Sequence, residues 1–123
     1  FYTEYAETVH RYEWIRIYMF SGLMGDPVNR RYIRVIEDEL LKPMCGEIRH
    51  HCNLPSVESM PISDMELEQV WILHGGLFYY AVRKNIFHSR VNNDYERVVV
   101  TAIEVLLEGI KASYNGNGGM KND

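Results

Sequence analysis

Two patterns in this chain have the residue types and spacing that chemistry needs. The first is Glu-x-x-His, present as Glu7 with His10 and again as Glu47 with His50. Residues three apart share a helix face, and two such pairs, with a Glu from each of two further helices, build a di-metal carboxylate bundle. Glu66, Glu68, Glu104 and Glu108 are nominal donors for the rest. The second pair, however, stands in "EIRHHCNLP" at a helix end, where histidine more commonly answers the helix dipole and the free carbonyls. The second pattern is smaller. His10, Glu13 and Trp14 fall on one face of the first helical segment, and His74 on an inward face of the third. If those segments pack together, His10, Glu13 and His74 converge on one divalent metal ion or one ligand carboxylate. The alternative is a core histidine hydrogen-bonded to a neighbour, with Glu13 paired to Arg16 on the surface. No cofactor other than that metal is called for. There is no G-x-S-x-G, no phosphate-cradling glycine loop and no Cys and His in a catalytic motif, so an enzyme is not expected.

The most apolar run, "WILHGGLFYY" from Trp71 to Tyr80, sets His74, Gly75 and Gly76 at its centre. Glycine inside a helix costs up to about 1 kcal/mol against alanine, so two in succession ask for a close helix contact or room for a ligand. Aromatic residues crowd the same regions. Tyr5, Tyr12, Trp14, Tyr18 and Phe20 stand on the first segment, and Trp71, Phe78, Tyr79 and Tyr80 on the third. Tyr and Trp combine an apolar body with a polar tip, which suits an apolar pocket carrying a few polar points.

Four helical segments position these residues. The first spans about 3–24 and stops at Gly25. Asp26 and Pro27 restart a helix, Asp26 as cap and Pro27 at the first helical position, where its missing N–H is harmless. That segment reaches about His51, with Pro43 expected to kink or break it. Prolines and serines make 53–61 a loop. Ser63-Asp64-Met65-Glu66 is a capping box that opens a third helix running to about His88. Asn92, Asn93 and Asp94 supply the next turn and cap, and the last helix covers about 95–113. The fold class is therefore all-α, a helical bundle over 1–114, with 115–123 a disordered tail. The third and fourth helices carry apolar residues around more than a single stripe, and in a chain of 123 residues the surplus implies a second subunit.

The totals exclude several classes. A net charge of −4 is the wrong sign for a phosphate-gripping surface, and the one dense basic stretch, Arg30, Arg31 and Arg34, runs directly into Glu37, Asp38 and Glu39. Direct DNA binding by this region is not expected. No apolar run approaches the roughly 20 residues needed to span a membrane, so no membrane partner is expected. Cys45 and Cys52, about 10 Å apart on one helix, are too distant to bridge and fit reduced thiols in a cytoplasmic protein.

The stretches "HRYEWIRIYMFSGLMGDPVNRRYIRVIEDELLKPMCGEIR", "MELEQVWILHGGLFYYAVRKNIF" and "VVVTAIEVLLEGIKAS" resemble the C-terminal regulatory domain of a TetR-family transcriptional regulator. The likeness rests on helix order, on the "SGL-x-G…NRRY" turn and on a final pair of long helices. It implies a homodimer in which the last two helices form a four-helix bundle across the two-fold axis. The earlier helices would enclose a pocket for a small apolar or aromatic effector, and its binding would draw the dimer away from the DNA-binding conformation. The family's N-terminal helix-turn-helix domain is absent from this chain, so DNA would be a partner only through that missing domain. On this reading Trp14, Tyr18, His74, Phe78 and Tyr79 are the ligand-binding residues, with His74 the polar anchor. Leu77, Ala81, Val99, Ala102, Leu106 and Gly109 are the dimer contacts. A small helical metal-binding protein or metalloenzyme using His and Glu ligands stands as the alternative.

Overall fold

A computed structural model of the chain describes residues 12–25 and 27–117; side chains at 12–15, 28 and 115–117 lie outside that description. Helix α1 covers Tyr12–Leu23. It stops where the amide of Gly25 reaches the Gly22 carbonyl at 3.1 Å with Gly25 at φ 75°, a left-handed conformation that favours glycine. Pro27 then opens α2, which runs over 27–51. Gly22 has its own reason. A Cβ there would stand 3.0 Å from the Asn29 amide nitrogen, which instead donates to the Tyr18 carbonyl at 2.9 Å and pins α2 against α1.

Pro43 does not break α2. The helix passes through a π-helical turn at Glu37–Leu41, closed by the Lys42 amide on the Glu37 carbonyl, and continues as Lys42–His51. A proline clashes with the carbonyl four residues back, here Glu39, and donates no hydrogen bond of its own. Widening the turn immediately before it makes room for the ring. The expected kink or break is thus a single π turn, and it places Leu40 and Leu41 fully inside.

Helix α3 covers Asp64–Asn85, and α4 covers Tyr95–Asn117. The capping box forms as its spacing predicts: the Glu66 amide donates to Ser63 Oγ at 3.1 Å, and the Ser63 amide to the Glu66 carboxylate at 3.4 Å. Asp94 caps α4 through the Arg97 amide at 3.2 Å. Two boundaries differ from expectation. Helix α3 ends three residues short of His88, because the chain folds back there, with His88 at φ 50° and the Ser89 amide on the Arg83 carbonyl at 2.9 Å. No glycine or proline announced that stop. Helix α4 continues past 113 to Asn117, and the remainder of the expected tail lies outside the described residues, as does Asp26 with its capping role. No strand occurs among the described residues, and none of their helices is long and apolar enough to cross a membrane.

The main core lies between α2, α3 and α4. Ile36, Leu40, Leu41, Cys45 and Ile48 of α2 pack with Val70 of α3 and Ile110 of α4. A smaller cluster joins Ala81 and Val82 of α3 to Met19 of α1 and to Phe78 and Ile86. Helix α3 therefore touches all three others, which is why its sequence is apolar around so much of its circumference.

One buried polar knot closes the structure. Arg49, 1% exposed, holds Glu66 through Nε at 2.8 Å and Nη2 at 2.7 Å. Its remaining donors go to the carbonyls of Pro55, Ser56, Met60 and Pro61. A planar guanidinium can serve a carboxylate and a loop at once, and here it fastens the 52–63 connection to both flanking helices.

Candidate aromatic ligand site

The candidate site is a cavity of about 170 Å³ where α1, α2 and α3 meet. Helix α1 contributes Tyr18, and α2 contributes Tyr32, Ile33 and Ile36, with the last just before the π turn. Helix α3 supplies Trp71, His74, Gly75 and Phe78, the spacing of one helix face. The rings meet edge to face. Tyr18 stands 5.4 Å from Tyr32 at 64° and 5.7 Å from Phe78 at 66°, and Trp71 stands 5.7 Å from His74 at 83°. Edge-to-face packing satisfies the ring quadrupoles and holds the walls in fixed orientations.

The second polar point of the wall is already engaged. Trp71 Nε1 donates to the Glu37 carboxylate at 2.9 Å, tying the indole to the π turn. Burial lowers the pKa of His74 below the usual histidine value, so its imidazole is neutral at physiological pH. Burial likewise raises the pKa of the Tyr18 phenol. No Asp, Glu, Lys or Arg lines the cavity among the described residues. The arrangement suits an uncharged, largely apolar molecule that presents a ring to the walls and a polar atom to His74.

Of the five residues expected to bind a ligand, Tyr18, His74 and Phe78 come together here. Tyr79 does not. It is 53% exposed, because one residue beyond Phe78 is a 100° step around α3 and turns its side chain away from the cavity. Trp14 lies on α1, one turn before Tyr18, with its side chain outside the described residues. Tyr32, Ile33 and Ile36 were missed. They sit in a stretch that reads as a charged surface helix, yet their i, i+1, i+4 spacing was the available signal. Trp71 and Gly75 belonged to the singled-out run but were not assigned to the pocket.

His10 lies outside the described residues, as does the Glu13 side chain, so the proposed trio with His74 falls largely beyond them. Among the described residues no three His, Cys, Asp or Glu side chains group as metal ligands. Glu47 and His50 are both exposed near the C-terminus of α2. Cys45 is buried and free, and burial pushes its thiol up to about 11.

The expected dimer contacts divide as well. Ala81 is 0% exposed and so is consumed within the chain, while Leu77, 6% exposed, shows only an edge in the groove between α3 and α4. Val99, Ala102 and Leu106 are half-buried, while Gly109 is exposed. The exposed large apolar residues on α3 are Met65, Ile72 at 65% and Tyr79, and on α4 Val100 and Val105, the latter 68% exposed. Ile72 and Gly76 share an open groove with Val98 and Ala102 of α4.

Comparison with models of known protein families, with curated proteins and with solved structures finds no match to this chain.

Proposed function

We propose that this chain is the effector-binding and dimerisation domain of a TetR-like transcriptional repressor. The observation that carries the reading is the aromatic cavity. Three helices build it, its walls are fixed by edge-to-face ring contacts, and its one titratable lining group on α3 is a neutral histidine. The chain's own side chains do not fill the cavity lined by Tyr18, Trp71 and Phe78, whereas Leu41, Val70 and Ala81 leave essentially no exposure.

The dimer would form on the surface shared by α3 and α4. Ile72 and Gly76 on one helix and Val98 and Ala102 on the other share one open groove, Tyr79 and Val105 are exposed on the same two helices, and a Cβ at Gly76 or Gly109 would stand in open space. Backbones carrying no side chain at those points can approach a partner closely. In the intact regulator, effector binding would shift the population of dimers away from the spacing of DNA-reading heads that matches successive major grooves.

Two measurements test the proposal. Sedimentation velocity at micromolar concentration should show a dimer, and Ile72→Glu should convert it to a folded monomer; a wild-type monomer would contradict the dimerisation reading. Reading the codons upstream of this segment should reveal an in-frame helix-turn-helix, and an unrelated domain there would overturn the regulator assignment.

A further inference from the structure

We infer that the ligand of this cavity is an uncharged molecule with a single aromatic ring, admitted across Gly75. The inference rests on the cavity being a ligand site and goes further, to ligand class and to the residue that controls entry.

Size comes first. An apolar cavity of about 150 Å³ accommodates benzene, so about 170 Å³ matches one substituted ring. The walls agree. Tyr18, Tyr32, Trp71 and Phe78 meet one another or their neighbours edge-on, which leaves ring faces and edges for a planar guest. Charge is the third constraint. A carboxylate or ammonium placed here would lose its water and meet no opposite charge among the described lining residues, a heavy penalty for an ion.

Gly75 is the unexplained residue in that wall. It lies in the interior of α3, where glycine is less favourable than alanine by roughly 1 kcal/mol. Neither of the usual reasons for a glycine applies. Its backbone is not left-handed, and a Cβ built on it meets nothing within 4 Å. Yet Gly75 is exposed to solvent and lines the cavity at the same time. The missing side chain is therefore a gap between cavity and solvent, in a wall that also includes the half-exposed Ile33. Gly76 does the same for a different depression, because one residue along the helix is a 100° step, and it faces the α3–α4 groove. Two adjacent glycines thus open two sites rather than one.

The test uses the whole chain, with phenol, 1-naphthol and benzoate as probes in calorimetric titration, and stopped-flow tryptophan fluorescence for rates. Phenol should bind. 1-Naphthol should bind about tenfold more weakly or not at all, and benzoate should show no binding. Gly75→Ala should melt no lower than the wild type, and Gly75→Leu, whose side chain lies across the opening, should slow phenol association by roughly tenfold or more. Phe78→Leu should weaken phenol at equilibrium, which locates the binding. If 1-naphthol or benzoate binds as tightly as phenol and Phe78→Leu abolishes it, the single-ring inference fails while the ligand-site reading stands. Phenol binding at an unchanged rate in Gly75→Leu overturns the entry role. A Gly75→Leu variant that binds phenol normally but changes its sedimentation would assign Gly75 to the interface instead. No binding by any of the three probes overturns both the inference and the ligand-site reading.

Discussion

The two ends of the α2–α3 contact are built on opposite principles. At one end Arg49 and Glu66 form a buried ion pair whose donors also serve four loop carbonyls, and nothing polar there is left over. At the other end the same two helices, with α1, face each other across about 170 Å³ that their aromatic side chains line without filling. The first end holds the helices together and fixes their register. The second, rigidly framed by the first, can remain hollow. The cavity end forgoes packing contacts, while the knot end leaves the Arg49 guanidinium fully matched by acceptors and lies beside the packed core of Leu41, Cys45 and Val70.

That contrast can be broken most forcefully at Arg49. Arg49→Ala leaves Glu66 buried without its partner and releases the 52–63 loop, and should destabilise by about 3–5 kcal/mol in chemical denaturation. The paired change Arg49→Met with Glu66→Leu removes both charges and should recover much of that loss; a double variant no more stable than Arg49→Ala would show that the loop carbonyls, not the ion pair, dominate. A smaller effect is expected at the cavity end. Trp71→Phe keeps the ring but deletes the 2.9 Å bond to Glu37, and should cost about 1.5 kcal/mol, since the pair is only half-buried.

The histidine gives a pH signature of the hollow end alone. Burial lowers the folded-state pKa of His74 below its unfolded value, so the unfolded chain binds the extra proton first. Its contribution to stability is complete above the unfolded pKa of about 6.5 and is lost as pH falls from there through the folded value. Denaturation midpoints should therefore decline as pH falls below about 7, and His74→Gln should flatten that decline. An unchanged slope would place the dependence elsewhere. The smallest change is at Gly75. Gly75→Ala enters open space in a helix and should raise stability by up to about 1 kcal/mol. A loss of stability there would mean that a neighbour fills that space.

The helices were legible because their ends carry local chemistry: Gly25 and Pro27 at one turn, the Ser63–Glu66 box at another, Asp94 before the last. The end of α3 was not, since it depends on the Arg83 carbonyl capturing a later amide across an αL histidine. Three of the eight wall residues could be read. His74 and Phe78 stand in a run whose glycines already looked out of place, and Tyr18 lies on a crowded aromatic helix. Tyr32, Ile33 and Ile36 were hidden among arginines and carboxylates, where apolar residues at helix spacing look like an ordinary inward stripe. Tyr79 and Ala81 were misplaced for one reason. An apolar helix can bury any of its faces, and only packing against three neighbours decides which. Arg49 carries no signal of its own in the sequence, because its acceptors are a carboxylate on the next helix and loop carbonyls that only the fold brings together.

A hollow end that serves as a ligand site accepts a ring in preference to the grooves beside it. Soaking crystals of the chain with 4-bromophenol and locating the bromine by anomalous scattering tests this most directly. The bromine should lie in the cavity between Tyr32, Trp71 and Phe78, in contact with the walls of all three helices. Bromine confined to the Gly76 groove, or an empty cavity under saturating probe, would contradict it.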